Sequence, residues 1–238
     1  MPDLAVLAIL TLAAALQGFL GFGFGIVAMS GLTLSHDLLH AAGVVNLCGL
    51  VTTTGQLLSL RKHVLWRPAL RIAPGLLVGV VFGVLALGTL DRTLMVQALG
   101  ATTVVIALWS LWRPRMQTRE VPALDAGIGL VSGFLGGAFN TGGPPLIAHL
   151  YRRSDPPNAI RATVQVLFLT IGTTRAVTAA SQGMFDRSIL VDAAVAIPAV
   201  MLGLVGGFAV ARRVGTDRFR TASWVALGVL GIVLILRA

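Results

Sequence analysis

Acidic residues are scarce in this chain: Asp3, Asp37, Asp91, Glu120, Asp125, Asp155, Asp186, Asp192 and Asp217 are the nine among 238 positions. Only Asp125 and Asp192 fall within an apolar segment, each near its end, so no carboxylate stands at mid-segment to relay protons. Cysteine is scarcer still. Cys48 alone excludes an intramolecular disulfide, and its apolar neighbours read it as a small core residue rather than a redox centre. Charged residues make up 11% of the chain, where a soluble domain carries about 25%. The apolar segments offer no nucleophile–base pair, no metal-ligand cluster and no nucleotide loop. Gly21-Phe22-Gly23-Phe24-Gly25 lacks the spacing and the preceding strand of a dinucleotide fingerprint. These absences argue against an enzyme and imply no cofactor.

What is present is apolar. Hydrophobic residues reach 56% and mean hydropathy is +0.89, which predicts an all-α polytopic membrane protein, one domain over 1–238. A net charge of +9 reads as loops that fix orientation and touch anionic lipid. No basic stripe alternates with exposed aromatics, so nucleic acid is not an expected partner. No Lys or Arg precedes the first apolar segment, as a cleaved signal peptide would need, so residues 4–34 are read as part of the mature protein.

Eight apolar segments can be read: 4–34, 38–60, 69–90, 94–112, 123–150, 159–181, 189–211 and 219–237. The first and fifth are longer than the rest and carry matching glycine-rich breaks 115 positions apart. Gln17-Gly18-Phe19-Leu20-Gly21 corresponds to Ser132-Gly133-Phe134-Leu135-Gly136, and the second break runs on through Asn140-Thr141-Gly142-Gly143-Pro144-Pro145. Thr53-Thr54-Gly55 similarly echoes Thr173-Thr174-Arg175. Each half, 1–112 and 123–238, thus reads as one broken segment plus three ordinary spans, joined by a linker at 113–122. Gly75, Gly79 and Gly83, loosely matched by Ala199, Gly203 and Gly207, read as helix-packing positions.

Charge decides between two topologies. With eight crossings, Lys and Arg divide nine against eight across the membrane. With both broken segments as re-entrant hairpins, fourteen fall on one side, at 61–71, 113–119, 152–161 and 212–220, against three on the other. The positive-inside rule selects the second arrangement. It predicts six spans and two hairpins in two repeats of inverted topology, with both termini outside the bacterial cytoplasmic (inner) membrane. A single long bent helix remains the alternative at each break.

The Gly18–Gly25 stretch and Gly133–Pro145 together resemble the TauE/SafE family of membrane permeases, also called sulfite exporters. The resemblance covers essentially the whole chain. It implies transport of a small anion: sulfite, an organosulfonate or a small carboxylate.

The residues at the breaks suit that chemistry. Pro144 fits the first turn of a returning helix whose positive end points inward. Gly142 and Gly143 leave amides open to a sulfonate or carboxylate, and Asn140 and Thr141 add side-chain hydrogen bonds. Gly23 and Gly25, at the first break, offer backbone amides alone. Arg175 is the basic residue deep inside an apolar span. It reads either as a bidentate anion ligand or as an anchor snorkelling to the outer surface. Thr53, Thr54, Thr173, Thr174 and Gln56 either line the site or bond within the helices. His149 is expected at a hydrated interface. The function predicted is a secondary permease working by alternating access. The rivals are an anion channel-like conduit and a non-transporting membrane assembly subunit. Homo-oligomer formation is left open.

Overall fold

In the computed structural model, which describes residues 3–112, 122–150, 155–211 and positions 228, 229, 232, 235 and 236, every regular element is helical. The linker 113–121, the basic stretches at 152–153 and 212–220 and most of the segment 219–237 lie outside the described residues. The first broken segment forms α1 (Leu4–Leu20) and α2 (Phe24–Leu32), and α3 (Leu38–Leu60), α4 (Trp66–Thr89) and α5 (Arg92–Trp112) follow. The second forms α6 (Pro122–Phe139) and α7 (Gly143–Leu150), followed by α8 (Pro157–Ser181) and α9 (Arg187–Ala211). Asp37 caps α3 by accepting the Leu39 amide at 2.9 Å. Asp186 does the same for α9 through the Ile189 amide at 2.8 Å. That bond, with the Ser188 hydroxyl, holds the Asp186 carboxyl below its ordinary range.

Each break turns the chain back on itself. A methyl group on Gly31 would come within 2.7 Å of Ile9, and one on Gly23 within 3.3 Å of Leu16. One residue number falls as its partner's rises, as in two antiparallel arms. In the second broken segment Gly142 packs on the Ser132 carbonyl, and His149 reaches Asp125, giving the same sense. The turns differ in chemistry. Gly21 and Gly23 take left-handed backbone angles, φ 86° and 107°. In the second break the left-handed residue is Asn140, φ 55°, not a glycine. Asparagine is the side chain that tolerates that region best. Gly142 and Gly143 are needed instead for close approach.

The helices of the two halves interlock. Gly75, Gly79 and Gly83 of α4 lie on the carbonyls of Ala126, Leu130 and Phe134 in α6, and Gly129, Gly133 and Gly137 of α6 lie on those of Ile72, Leu76 and Val80 in α4. A second seam joins α1 to α9: Gly203 and Gly207 face the Thr11 and Ala15 carbonyls, and Gly18 faces Leu204. Small residues let membrane helices close to backbone contact, where dispersion and Cα–H···O contacts hold them. The packing role expected for the Gly75, Gly79 and Gly83 stripe is therefore seen. Helices α3 and α8 pack together, α4 also packs on α8, and α9 on α3.

The outward faces are apolar. Leu70, Leu77, Val78 and Phe82 of α4 and Leu190, Leu202 and Val205 of α9 are exposed, as a lipid-facing surface requires. Leu38–His63, Trp66–Thr89, Pro122–Phe139 and Arg187–Ala211 are long and apolar enough to cross a membrane, and Leu4–Leu20 is a shorter apolar helix. The 25-residue α8 is long enough as well. Its arginines, glutamine and threonines make it the more polar helix, and it sits among α3, α4, α6 and α7.

Candidate functional site

Breaking a helix strands backbone groups that lipid cannot satisfy. The chain meets this need with polar side chains from α3 and α8. Gln56 Nε2 donates to the Gln17 carbonyl of α1 and Gln165 Nε2 to the Gly21 carbonyl, both at 2.6 Å. Arg175 Nε donates to the Gly137 carbonyl of α6 at 2.9 Å. Asn140 Nδ2 reaches the Ala42 carbonyl of α3 at 3.1 Å, which pins the second break against the first half.

The two breaks meet at a point. The α-carbon of Gly25 rests against the main-chain carbonyl of Asn140. Beside this contact lies a cavity of about 60 Å³, above the ~10–15 Å³ that a water needs to enter. Its wall is built from both breaks: Gly23, Phe24 and Gly25 on one side, Asn140, Thr141, Gly142 and Gly143 on the other. Gln17, Asn46 and Thr53 add polar groups, while Val45, Leu50, Phe168 and Ile171 add apolar ones. The Gln17 amide nitrogen and the Asn46 amide oxygen are buried there without hydrogen-bond partners. The Gln17 nitrogen is a donor suited to an anion, whereas the Asn46 oxygen is an acceptor and the Asn46 nitrogen is already spent on the Gly172 carbonyl at 3.1 Å. The first turn of α7 begins at Gly143, and Pro144 and Pro145 carry no N–H, so the glycine amides are the donors this helix end presents.

The sequence candidates divide accordingly. Asn140, Thr141, Gly142, Gly143, Thr53, Gly23 and Gly25 line the cavity. Gln56 does not; it is buried and holds α1. Thr54 and Thr173 are exposed, and Thr173 bonds back to the Leu169 carbonyl at 2.7 Å. Thr174 is half-buried and outside the cavity wall. Thr53 and Thr54 separate because successive helix residues point about 100° apart. Arg175 is not part of the wall either. It does not snorkel: the residue is 1% exposed, which removes the outer-surface anchor. Its Nη1 is buried without a partner, and no acid pairs with it among the described residues.

Three features were not read from the sequence. Gln17 lines the cavity although nothing local marks it as different from an ordinary polar group between helices. His149, expected at a hydrated interface, is 5% exposed and stands 2.6 Å from Asp125, itself fully buried. Arg71 Nη1 is 4.0 Å from the other oxygen of Asp125. The fold-back of α7 along α6 carries residue 149 to residue 125 and so inward. Finally, the Arg161 side chain of α8 lies along Gly21, with its Cγ 3.4 Å from where a methyl group on that glycine would sit.

A family model described as Sulfite exporter TauE/SafE matches residues 6–234. The chain is 33% identical over 214 residues to a protein of Cupriavidus necator named "Probable sulfite/organosulfonate exporter TauE", covering 87% of this chain and 83% of that one. It is 32% identical over 176 residues to a protein of Comamonas testosteroni named "Probable inner membrane transporter protein TsaS", covering 73% of each. No solved structure matches the chain.

Proposed function

The chain belongs to the TauE/SafE sulfite exporter family, and from that premise we propose that it is a secondary permease for a small sulfur-containing or organic anion. Membership makes it an integral membrane transport protein and not an enzyme. The substrate class is sulfite, an organosulfonate or a small carboxylate, moved by alternating access across a bacterial inner membrane. The names carried by the Cupriavidus and Comamonas relatives support that class and that membrane.

The observation that carries the reading is the meeting of Gly25 with Asn140 beside a small cavity that both breaks line. Broken helices are tolerated in lipid where the opened backbone is buried in protein or lines a wet cavity, and here the two breaks line one cavity together. The glycine amides at the start of α7 supply donors and a partial positive charge, and buried Arg175 supplies a full one near the α6 end of the break. Together they offset the charge of a sulfonate or sulfite.

Inverted repeats and re-entrant hairpins fit the same picture. Exchanging α1 with α6, α2 with α7, α3 with α8 and α4 with α9 turns the α4–α6 seam into the α1–α9 seam. The same exchange turns the α4–α8 contact into α9–α3, which supports a pseudo-twofold relation. The fourteen-to-three division of Lys and Arg supports both termini outside.

The test is counterflow in proteoliposomes. Vesicles preloaded with unlabelled sulfite should accumulate external radiolabelled sulfite transiently and with saturation. Conductive flux without counterflow would replace the permease by a conduit. Absence of flux for sulfite, methanesulfonate and acetate alike would remove the anion reading.

A further inference from the structure

We propose that Arg161 forms a second anion-binding position at the first break, so that α8 presents one arginine to each of the two breaks. The inference rests on the permease reading. The first break has no polar side chain of its own between Gly21 and Gly25, and judged by itself it offers backbone amides alone. The structure supplies what it lacks from α8. Arg161 runs beside Gly21, its Nε 3.6 Å from where a methyl group on the glycine would stand. That Nε is buried without a hydrogen-bond partner. The neighbouring Gly21 carbonyl is already taken by Gln165, one turn along the same helix. The guanidinium therefore lies against the break with donor capacity that the backbone there does not use. No acid pairs with Arg161 among the described residues. The residue is half-buried, and Nε is the guanidinium nitrogen that is buried without a partner, so one donor faces the break while the rest of the head group keeps contact with the surface.

The register of α8 links this position to the cavity. Arg161, Gln165, Phe168, Gly172 and Arg175 follow one another at intervals of four, three, four and three, which is one stripe of a helix. Phe168 and Gly172, in the middle, line the cavity. Arg161 and Arg175 bracket it, fourteen residues or about 21 Å apart at 1.5 Å per residue. One anion of this size cannot touch both. The stripe thus holds a cation at either end and a weak, small, largely apolar station between. An anion entering from the end of α8 that bears Asn158 meets Arg161 first, and one entering from the opposite end meets Arg175.

The expectation is sidedness. Full-length protein is reconstituted, with vesicle orientation fixed by labelling a single cysteine at position 158 in a Cys48→Ala background. Initial rates of methanesulfonate and sulfite uptake are measured from each face. Arg161→Gln should raise KM at the face bearing residue 158 about tenfold or more, the size of a lost charge-assisted hydrogen bond. KM at the opposite face should change less than about twofold, since Arg175 is untouched. Arg161→Lys should fall between, because an ammonium keeps the charge and loses the fork. A folded Arg161→Gln protein whose KM is unchanged at both faces, or raised equally at both, overturns the proposal. If glutamine prevents folding, Arg161→Lys decides: unchanged KM at both faces overturns it as well. Parental protein that carries neither anion in either orientation overturns the permease reading itself, an outcome distinct from normal parental flux without sidedness.

Discussion

Gly25 and Asn140, 115 residues apart in the chain, touch backbone to backbone, with no space between the glycine α-carbon and the asparagine carbonyl for a single methyl group. The contact joins the first break to the second, and residues of both line the cavity beside it. Gly25→Ala should therefore be severe, with a stability loss of about 1–3 kcal/mol from overpacking and loss of transport. Gly127→Ala and Gly206→Ala, where nothing lies within 4 Å of the added atom, are the controls. Melting temperatures of the detergent-purified proteins decide. A Gly25→Ala protein as stable as the controls would show that the breaks can part.

The two glycines that open α7 should resist enlargement for separate reasons. Gly142 packs on the Ser132 carbonyl, and a methyl on Gly143 would come within 2.9 Å of Phe168. Gly142→Val and Gly143→Val should abolish substrate binding, read by thermal shift with sulfite and methanesulfonate. A well-folded valine variant with parental affinity would remove this helix end from the site.

Arg175 joins charge to architecture. Its Nε bond to Gly137 holds the end of α6, and its buried Nη1 has no hydrogen-bond partner. Arg175→Ala should weaken binding about 10- to 150-fold, the equivalent of roughly 1.5–3 kcal/mol for a charge-assisted contact. Arg175→Lys should recover only part of that. Equal affinity in the parent, alanine and lysine proteins would leave Arg175 as a clamp on Gly137 alone.

Asp125 and His149 hold the ends of the second hairpin together out of solvent. Removing Asp125 leaves the buried His149 ring nitrogen without its partner, a loss of about 1–3 kcal/mol. Asp125→Ala should therefore lower expression and melting temperature sharply. Asp125→Ala with His149→Leu should be milder than the sum of the two single changes. Additive effects in this cycle would mean that the pair is a coincidence of packing.

Topology gives an independent check. The division of Lys and Arg predicts that residues 113–122 and 152–158 share the cytoplasmic face. In a Cys48→Ala background, single cysteines at 117 and 155 should both resist an impermeant external label in intact cells. Labelling of one with protection of the other would mean that the second broken segment crosses the membrane.

The fold was legible wherever local chemistry forced it. Clustered glycines, followed in the second case by two prolines, disfavour a continued helix, so both breaks announced themselves, and α3 began and ended where the apolar run did. The glycine stripe of α4 was readable as a packing face, but its partner α6 was not. A contact between Gly75 and Ala126 depends on how whole helices associate, and no pattern within either helix names the other. The same limit governed the site. Asn140 and Gly142 sit at a break and could be found there. Gln17 and Asn46 are ordinary amides until α1 and α3 bring them to one cavity. Arg161 resembled one more orienting charge because its neighbour Gly21 lies 140 positions earlier.

The seam between α1 and α9 also sets an order of assembly. Gly18 leaves the ribosome roughly 185 residues before Leu204, a wait of roughly ten to forty seconds at about 5–20 residues per second. The α4–α6 seam can close after about three to ten seconds at the same rate, because those helices are nearer neighbours in the chain. For most of synthesis α1 therefore sits in the bilayer with its small-residue face bare. The molecule becomes whole only when its last described long helix returns to its first. A chain halted before residue 203 is thus no smaller transporter, but an unfinished one that displays an unmet helix surface to the membrane's quality-control proteases.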